Sequence, residues 1–186
     1  MLTSQDLLAT VQKLQDERDI YQVLVTYCFL HDQGRPDRLV GDVFTEDAVL
    51  DFGTGRLQGG DQINTFYGAY EGVMLGTQHH LSNVYIEIDG DRAKSTSYVQ
   101  AWHWFRQDQN PIDIRPADIM ATGGYQDEWT RTDKGWRISK RVTAQFGTGL
   151  GTGFAGPELM PLLRGMMGRL PDWPIPSANA SNKGAK

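Results

Sequence analysis

Apolar positions in the first part of the chain follow the spacing of helices. Leu7, Val11 and Leu14 recur every three or four residues, and the polar segment 16–19 then predicts a short break between two helices. Gly and Pro within 34–36 predict the end of the second helix, since Gly favours a helix C-terminus and Pro cannot continue a helix. The apolar stripe of this second helix consists of Ile20, Val23, Leu24, Tyr27 and Leu30 or His31.

Beyond residue 43 the apolar positions mostly alternate, which is typical of strands. One further helix, beginning at Asp61, interrupts them, and the segment 107–116 is polar enough to be a loop. Helices followed by long antiparallel strands predict an α+β fold in which a cone-shaped, curved antiparallel sheet wraps around the N-terminal helices. The strands are expected at 48–52, 79–88, 93–105, 119–131 and 136–146.

The last forty residues differ from the rest. A Gly-rich stretch over 147–153 predicts a flexible link, and 157–170 carries Leu and Met at helical spacing. The end, 177–186, has the small and polar composition of a disordered segment. We therefore divide the chain into an α+β domain over 1–147 and a tail over 148–186 that holds the link, a short apolar helix and a disordered end.

Composition limits the class of protein. A chain of 186 residues, 39% of them hydrophobic, can bury the core of one domain. A net charge of −5 argues against a nucleic-acid partner, because phosphate binding needs a basic surface. No apolar run approaches the roughly 20 residues of a membrane span, and the first residues lack the pattern of a secretory signal. We expect a cytoplasmic protein without a membrane partner.

Cysteine and histidine spacing bears on metals and disulfides. Cys28 is the only cysteine, so no internal disulfide can form and no metal site can be built on several thiolates. Neither HxH nor HExxH occurs in the chain. We expect no metal ion and no cofactor.

The candidate chemistry is a carboxylate and an imidazole on separate elements. Asp32 lies in the last turn of a predicted helix, where the helix dipole disfavours an acid, and His79 and His80 open a strand. A carboxylate that orients an imidazole makes a general base. The local pattern fits equally well a surface carboxylate on Asp32 paired with Arg35 or Arg38.

Strand alternation leaves the orientation of the histidines open. His80 shares its parity with the apolar residues that follow, which points it toward the core. A bulge near 81–82 would reverse this and turn His79 inward. The apolar residues concerned are Val84, Ile86 and Ile88.

Strand and helix geometry also predicts the orientation of three further polar residues. Arg141 has the parity opposite to Ile138, so alternation predicts an exposed arginine. His103 alternates with apolar residues and should face inward, either as a core histidine or as a site residue. Tyr27 and Asp32 lie about 140° apart on an ideal helix, and both reach one pocket only if the helix end lies across its mouth.

Several segments together resemble a known family. Combined with the helix from Tyr27 to Asp32, they are similar over roughly 5–147 to the SnoaL-like branch of the nuclear transport factor 2-like superfamily. Within it they look most like the lyases, which include hexachlorocyclohexane dehydrochlorinase, bile-acid 7α-dehydratase and scytalone dehydratase. The segments are VFTEDAVLDFG (43–53), TQHHLSN (77–83), DGDRA (89–93) and GWRISKR (135–141).

The resemblance implies a site and an activity. In those lyases an Asp that ends the first long helix pairs with a His that opens a later strand, and Asp32 and His79 match these positions. His80 departs from the pattern by offering a second imidazole. The implied activity is elimination of water or a hydrogen halide from a small hydrophobic, cyclic molecule, without a cofactor, in a homo-oligomer. Further catalytic positions correspond to Tyr27, His103 and Arg141, although His103 stands where the bile-acid enzyme has an acid and the scytalone enzyme a His.

Two alternatives to a lyase remain open from the sequence. A proton-shuttling isomerase of the ketosteroid type would use the same Asp and His, and a non-catalytic member of the fold would bind a ligand in the same cone. Hydrogen bonding between Asp32 and one histidine would favour catalysis, whereas a histidine without a paired carboxylate would favour binding alone.

We predict a homo-oligomer, a trimer in preference to a dimer, because apolar side chains lie on both faces of the predicted sheet and the apolar tail helix needs a partner. Sedimentation of the full-length protein and of a chain ending at Phe146 tests this. Loss of the oligomer on truncation would assign the contact to the tail, and an unchanged oligomer would assign it to the sheet. A monomeric full-length protein would contradict the prediction and favour a tail folded back on its own sheet.

Overall fold

The described part of the protein is a computed structural model of residues 3–53, 55–105 and 119–149. Three sequence-based expectations lie outside these residues: the loop over 107–116, the tail helix over 157–170 and the disordered end over 177–186. The last strand continues to Gly149, so it includes the first residues of the predicted Gly-rich link.

One long helix, α1 (Ser4–Asp32), forms the N-terminal part of the fold. Thr3 caps it: the hydroxyl accepts the backbone N–H of Asp6, and the Asp6 carboxylate accepts the backbone N–H of Thr3. The predicted break at 16–19 is wrong. Its residues lack Gly and Pro, and polar side chains alone do not end a helix.

The remaining elements follow the predicted order with longer strands. A 3₁₀ turn (Pro36–Arg38) and the short, irregular α2 (Leu39–Asp42) connect α1 to the sheet. The helix expected from Asp61 is α3 (Gly60–Gly72). The strands are β1 (Phe44–Asp51), β2 (Arg56–Gln58), β3 (Met74–Asp89), β4 (Arg92–Phe105), β5 (Ile119–Thr132) and β6 (Gly135–Gly149).

The six strands form one curved sheet in the order β2-β1-β6-β5-β4-β3. Every neighbouring pair is antiparallel except β1 and β6, which run parallel. The helices pack against one face, and the core between them contains residues from α1, α3 and the strands. The fold is α+β, as the sequence predicted. None of the helices in the described ranges has the length and apolar character needed to span a membrane.

Among the register shifts of the sheet, two β-bulges bear on the candidate site, one in β3 and one in β6. In β3 the pairing with β4 slips between Ser82 and Tyr85, and Asn83 adopts a positive φ of 52°. In β6 the pairing with β5 skips Ser139, since Glu128 pairs with Lys140 and Trp129 with Ile138. Each bulge inserts one extra residue into its strand. Beyond the bulge, the side chains therefore face the side of the sheet opposite to the one that simple alternation along the sequence predicts.

A buried carboxylate joins α1 to the far end of the sheet. Asp16 is only 4% exposed and accepts two hydrogen bonds from the Arg131 guanidinium, both 2.8 Å long. The indole N–H of Trp136 donates a third, at 3.2 Å. About 24 Å of helix separates Asp16 from Asp32, so this contact fixes the direction in which α1 delivers Asp32 to the other end of the sheet.

The helical turns before Asp16 lie outside this core. Residues 4–15 are all exposed, and the apolar stripe predicted there faces solvent in the described structure. Its exposed members are Leu7, Leu8, Val11 and Leu14.

Removing the Asp16 carboxylate should destabilise the whole domain. Asp16→Ala leaves the buried Trp136 N–H without its acceptor and breaks the ion pair to Arg131, so we expect a loss of about 1–3 kcal/mol in the free energy of unfolding. Urea denaturation measures it. Asp19→Ala on the same helix is the matched control, because the Asp19 side chain lies at the surface of the described structure and accepts a hydrogen bond from Gln15 there. Equal effects of the two variants would contradict the role of Asp16.

Candidate active site

The C-terminal end of α1 meets the start of β3 through the Asp32 carboxylate. Its Oδ1 lies 2.8 Å from Nδ1 of His79 and accepts the hydroxyl of Thr77 at 3.2 Å. Its Oδ2 accepts the backbone N–H of His79 at 3.1 Å. The side chains of His79 and Asp32 are 6% and 20% exposed. The alternative of a surface Asp32 is wrong, since Arg35 pairs with Asp37 and Arg38 with Asp42.

These contacts determine the ionisation of Asp32 and the tautomer of His79. Burial raises the pKa of Asp32, but the hydrogen bonds from His79 and Thr77 outweigh burial and leave the pKa below its usual value. An ionised carboxylate only accepts hydrogen bonds, so the ring nitrogen beside it, Nδ1, carries the hydrogen. Nε2 is then the nitrogen of His79 that is free to take a proton.

The bulge at Asn83 turns His79 inward. His79 and the later apolar residues of β3 face the core together, and His80 is exposed. Unbroken alternation would have pointed His80 inward. The reversing bulge, considered near 81–82, lies one to two residues further along the strand.

Arg141 is buried, which corrects the expectation from alternation. The skipped Ser139 places it on the same face as Ile138, and only 1% of it is exposed. It forms a bidentate pair with Asp127, directly opposite on β5, at 2.7 and 2.8 Å. Its guanidinium lies 4.3 Å from the ring centroid of Tyr27 and 3.9 Å from that of Tyr125. Burial opposes the charge, but Asp127 outweighs it and raises the pKa of Arg141.

Tyr27 and His103 both lie beside His79. The ring centroid of Tyr27 is 6.2 Å from that of His79, so the end of α1 does bring Tyr27 and Asp32 to one site. The Tyr27 hydroxyl lies 3.4 Å from the Tyr67 hydroxyl. His103 faces inward with its centroid 5.7 Å from His79. Burial, reinforced by the neighbouring His79, lowers the pKa of His103 to about 3, so His103 is neutral.

A second pair of an imidazole and a carboxyl lies in the same place, and the sequence reasoning missed it. Nδ1 of His31 is 3.0 Å from Oε1 of Glu71, and the ring centroids of His31 and His79 are 5.3 Å apart. The helical spacing held the signal. His31 is four residues after Tyr27, and Glu71 is four after Tyr67, so both share a face with a buried tyrosine.

The described residues contain no group of three or more His, Cys, Asp or Glu placed to hold a metal ion. The expectation of a metal-free protein stays a prediction. Cys28 is buried and burial raises the pKa of its thiol to about 12, which keeps it protonated and unreactive.

Comparison with known proteins identifies the family. The sequence profile of the SnoaL-like domain matches residues 12–142. The chain belongs to the SnoaL-like family. A relative from Mycobacterium tuberculosis, an uncharacterized protein, is 31% identical over 140 residues, which are 73% of this chain and 88% of the relative.

Solved structures share the fold of this SnoaL-like chain, and some of them are named as nuclear transport factor 2-like proteins. A scytalone dehydratase-like protein from Novosphingobium aromaticivorans superimposes with a TM-score of 0.67 at 22% identity, covering 79% of this chain and 97% of that one. A hexachlorocyclohexane dehydrochlorinase gives 0.60 at 19% identity, covering 81% and 97%. At these identities the likeness shows the fold, and it shows that proteins with this fold include lyases.

The ion pair of Arg141 with Asp127 yields a stability prediction. Asp127→Leu leaves a buried guanidinium without its carboxylate and should lower the free energy of unfolding by about 3–5 kcal/mol. The double variant Asp127→Leu/Arg141→Met replaces the pair with apolar groups and should recover much of this loss. Urea denaturation of the single variants and the double variant measures the coupling. Additive effects would mean that the two side chains do not stabilise each other.

Proposed function

We propose that this protein is a cofactor-independent lyase that removes water or a hydrogen halide from a small hydrophobic, cyclic molecule. The 2.8 Å contact between Asp32 and Nδ1 of His79 carries the proposal. His79 takes a proton from a carbon beside an electron-withdrawing group through Nε2, and Asp32 stabilises the resulting imidazolium. A paired carboxylate favours this over ligand binding alone, for which an unpaired histidine would suffice.

The surrounding side chains suit a developing negative charge on the substrate. The hydroxyl of Tyr27 is a hydrogen-bond donor near His79, and the positive charge of Arg141 lies over the Tyr27 ring. We assign Tyr27 to the oxygen of the activating group and Arg141 to the stabilisation of its charge. Neutral His103 contacts the ring of His79 and leaves the base free of a second positive charge.

The comparisons support the class of reaction and of ligand. The structures that this chain resembles include a hexachlorocyclohexane dehydrochlorinase, whose name denotes loss of hydrogen chloride from a cyclic molecule, and a scytalone dehydratase-like protein, whose name denotes loss of water. The rings of Tyr27 and His103 beside His79 suit contact with a small hydrophobic, cyclic ligand. Homo-oligomeric assembly and a cytoplasmic location belong to the same proposal.

Three probe ketones test the reaction, because all of them give cyclohex-2-enone. They are 3-hydroxycyclohexanone (loss of water), 3-chlorocyclohexanone (loss of hydrogen chloride) and cyclohex-3-enone (isomerisation), and enone absorbance reports each after subtraction of the uncatalysed rate. We expect His79→Gln and Asp32→Asn to lose about 100-fold or more in elimination rate, since the first removes the base and the second its orienting charge.

His80→Gln is the matched control, because it makes the same change at the adjacent, exposed position. Exchange of the α-hydrogens of cyclohexanone in D₂O, followed by NMR, reports proton abstraction without a leaving group. A wild type that is no faster than His79→Gln in elimination and in exchange contradicts the proposal. Turnover of cyclohex-3-enone alone would assign the isomerase function instead.

A further inference from the structure

The hydrogen-bonded pair of His31 and Glu71 is not used by the reaction proposed above. His31 comes from α1 and Glu71 from α3, and their side chains are 2% and 12% exposed. Their atoms lie 3.0 Å apart, from Nδ1 to Oε1. Two ionisable side chains are costly to bury, so a pair at this depth needs either a structural or a chemical reason.

The pair lies directly against the base. The ring of His31 is 5.3 Å from that of His79 and 4.5 Å from that of Tyr27, measured between centroids. Charges on His79 and Asp32 affect the ionisation of both His31 and Glu71. A substrate in contact with His79 is therefore close to the second carboxyl as well.

The two carboxyls of the site differ in ionisation. Burial raises the pKa of Glu71 to about 7, with Asp32 adding to the rise and His79 opposing it. Among the described residues Asp32 has three donors and stays ionised, whereas Glu71 has one and keeps its proton in a substantial fraction of molecules near neutral pH. Burial, followed by the charges of His79 and Arg141, lowers the pKa of His31 well below its usual value, so His31 is neutral.

The hydrogen bonds of His31 indicate what kind of group it meets. A hydrogen on Nδ1 allows His31 to donate to Oε1 whether or not Glu71 is ionised, and it leaves the acidic proton to Oε2. Nε2 is then an acceptor. It is buried and makes no hydrogen bond with the described residues, although buried polar atoms are normally paired. A hydroxyl on a ligand has the hydrogen that such an acceptor needs.

We propose that Glu71 is the general acid of this site, that His31 positions it, and that the leaving group of the substrate is a hydroxyl. This rests on the lyase function proposed above and selects dehydration over dehydrohalogenation. A halide leaves as a stable anion without a proton, whereas a hydroxyl must gain one to leave as water. A buried proton donor beside the base therefore assists the departure of a hydroxyl and is not needed for the departure of a halide.

The step is balanced within these residues. Nε2 of His79 takes the proton of the carbon next to the carbonyl, and the electron pair of that C–H bond forms the carbon–carbon double bond. The C–O bond breaks with its electron pair on oxygen, which receives the Glu71 proton and departs as water. His79 is then cationic and Glu71 anionic. Return of one proton from His79 to Glu71 through solvent restores the resting state.

Glu71→Gln provides the decisive test, because the amide keeps the size of the side chain and cannot transfer the proton. We compare the rate of water loss from 3-hydroxycyclohexanone with the rate of chloride loss from 3-chlorocyclohexanone. The ratio of these rates should fall about 100-fold or more in Glu71→Gln. Glu46→Gln, the same change at an exposed position on β1, should leave the ratio as in the wild type.

The pH dependence of this ratio distinguishes an acid from a merely structural carboxyl. Above pH 7 Glu71 loses its proton, so water loss should decline about tenfold per pH unit relative to chloride loss. Glu71→Gln should remove this decline. The charged and titratable groups that face the pair are the same in both reactions, so their effects cancel in the ratio. They are Asp32, His79, His103, Arg141, Tyr27, Tyr67 and Tyr70.

His31 is tested by replacement with and without a donor. His31→Leu removes the hydrogen bond to Oε1. Because this bond stabilises the ionised form of Glu71, its loss should move the decline to higher pH. Because the same bond holds the carboxyl in place, the ratio below pH 7, where Glu71 is protonated in both proteins, should drop. His31→Asn restores an N–H at the position of Nδ1 and should recover part of both. Equal behaviour of the two variants would overturn the positioning role.

The outcomes separate this inference from the lyase function itself. A wild type that exchanges the α-hydrogens of cyclohexanone and eliminates chloride, combined with an unchanged ratio in Glu71→Gln, overturns the acid and leaves the base intact. Chloride loss without any water loss overturns the hydroxyl leaving group. A wild type that does neither elimination nor exchange refutes the proposed function on which the inference rests.

Discussion

The Asp32 carboxylate depends on β3, because the helix that carries it offers only carbonyl oxygens at that end. Three donors from Thr77 and His79 compensate for the unfavourable helix dipole and for the loss of solvent. The same three bonds attach the end of α1 to the sheet, and the bond at Nδ1 orients the His79 ring and sets its tautomer. Position, charge and protonation state at the site therefore have a single physical origin.

Two carboxyls at one site illustrate how environment separates identical groups. Asp32 and Glu71 both lose solvent, but only Asp32 gains enough donors to remain charged. The difference in pKa between them follows from donor count rather than from residue type. A charged carboxylate supports a cationic ring, and a neutral one can give up a proton, so the two differ in what they can do for a substrate.

Periodicity in the sequence predicted most of the elements, and local counting failed where the strands are irregular. The helix that ends at Asp32 and the long strands were predicted from the periodic spacing of apolar residues, which does not depend on how the strands pair. The inward orientation of His79 and Arg141 depends on bulges at Asn83 and Ser139, which no propensity indicates. The resemblance to SnoaL-like lyases singled out both residues. Matching by position in a related sequence does not require the bulges to be predicted, because related proteins share the same strand irregularities.

Tertiary contacts explain the other residues that sequence reasoning missed or misplaced. Polar residues at 16–19 predicted a helix break, whereas Asp16 is an acceptor for Arg131 and Trp136, more than a hundred residues away. Glu71 is a polar residue at a helix end, a position typical of the surface, yet it is largely buried beside His31 of α1. Partners so distant in sequence are set by the assembled fold, which local patterns do not describe.

The N-terminal turns of α1 differ from the rest of the domain in local stability. Between the capping box at Thr3 and the buried Asp16, no core contact from the described ranges holds them, and about three turns of isolated helix are marginal in water. Their hydrogen bonds can open and close while the remainder of the domain stays folded. We expect fraying at this end to stop at Asp16, so the other end of the same helix, which carries Asp32, is insulated from it.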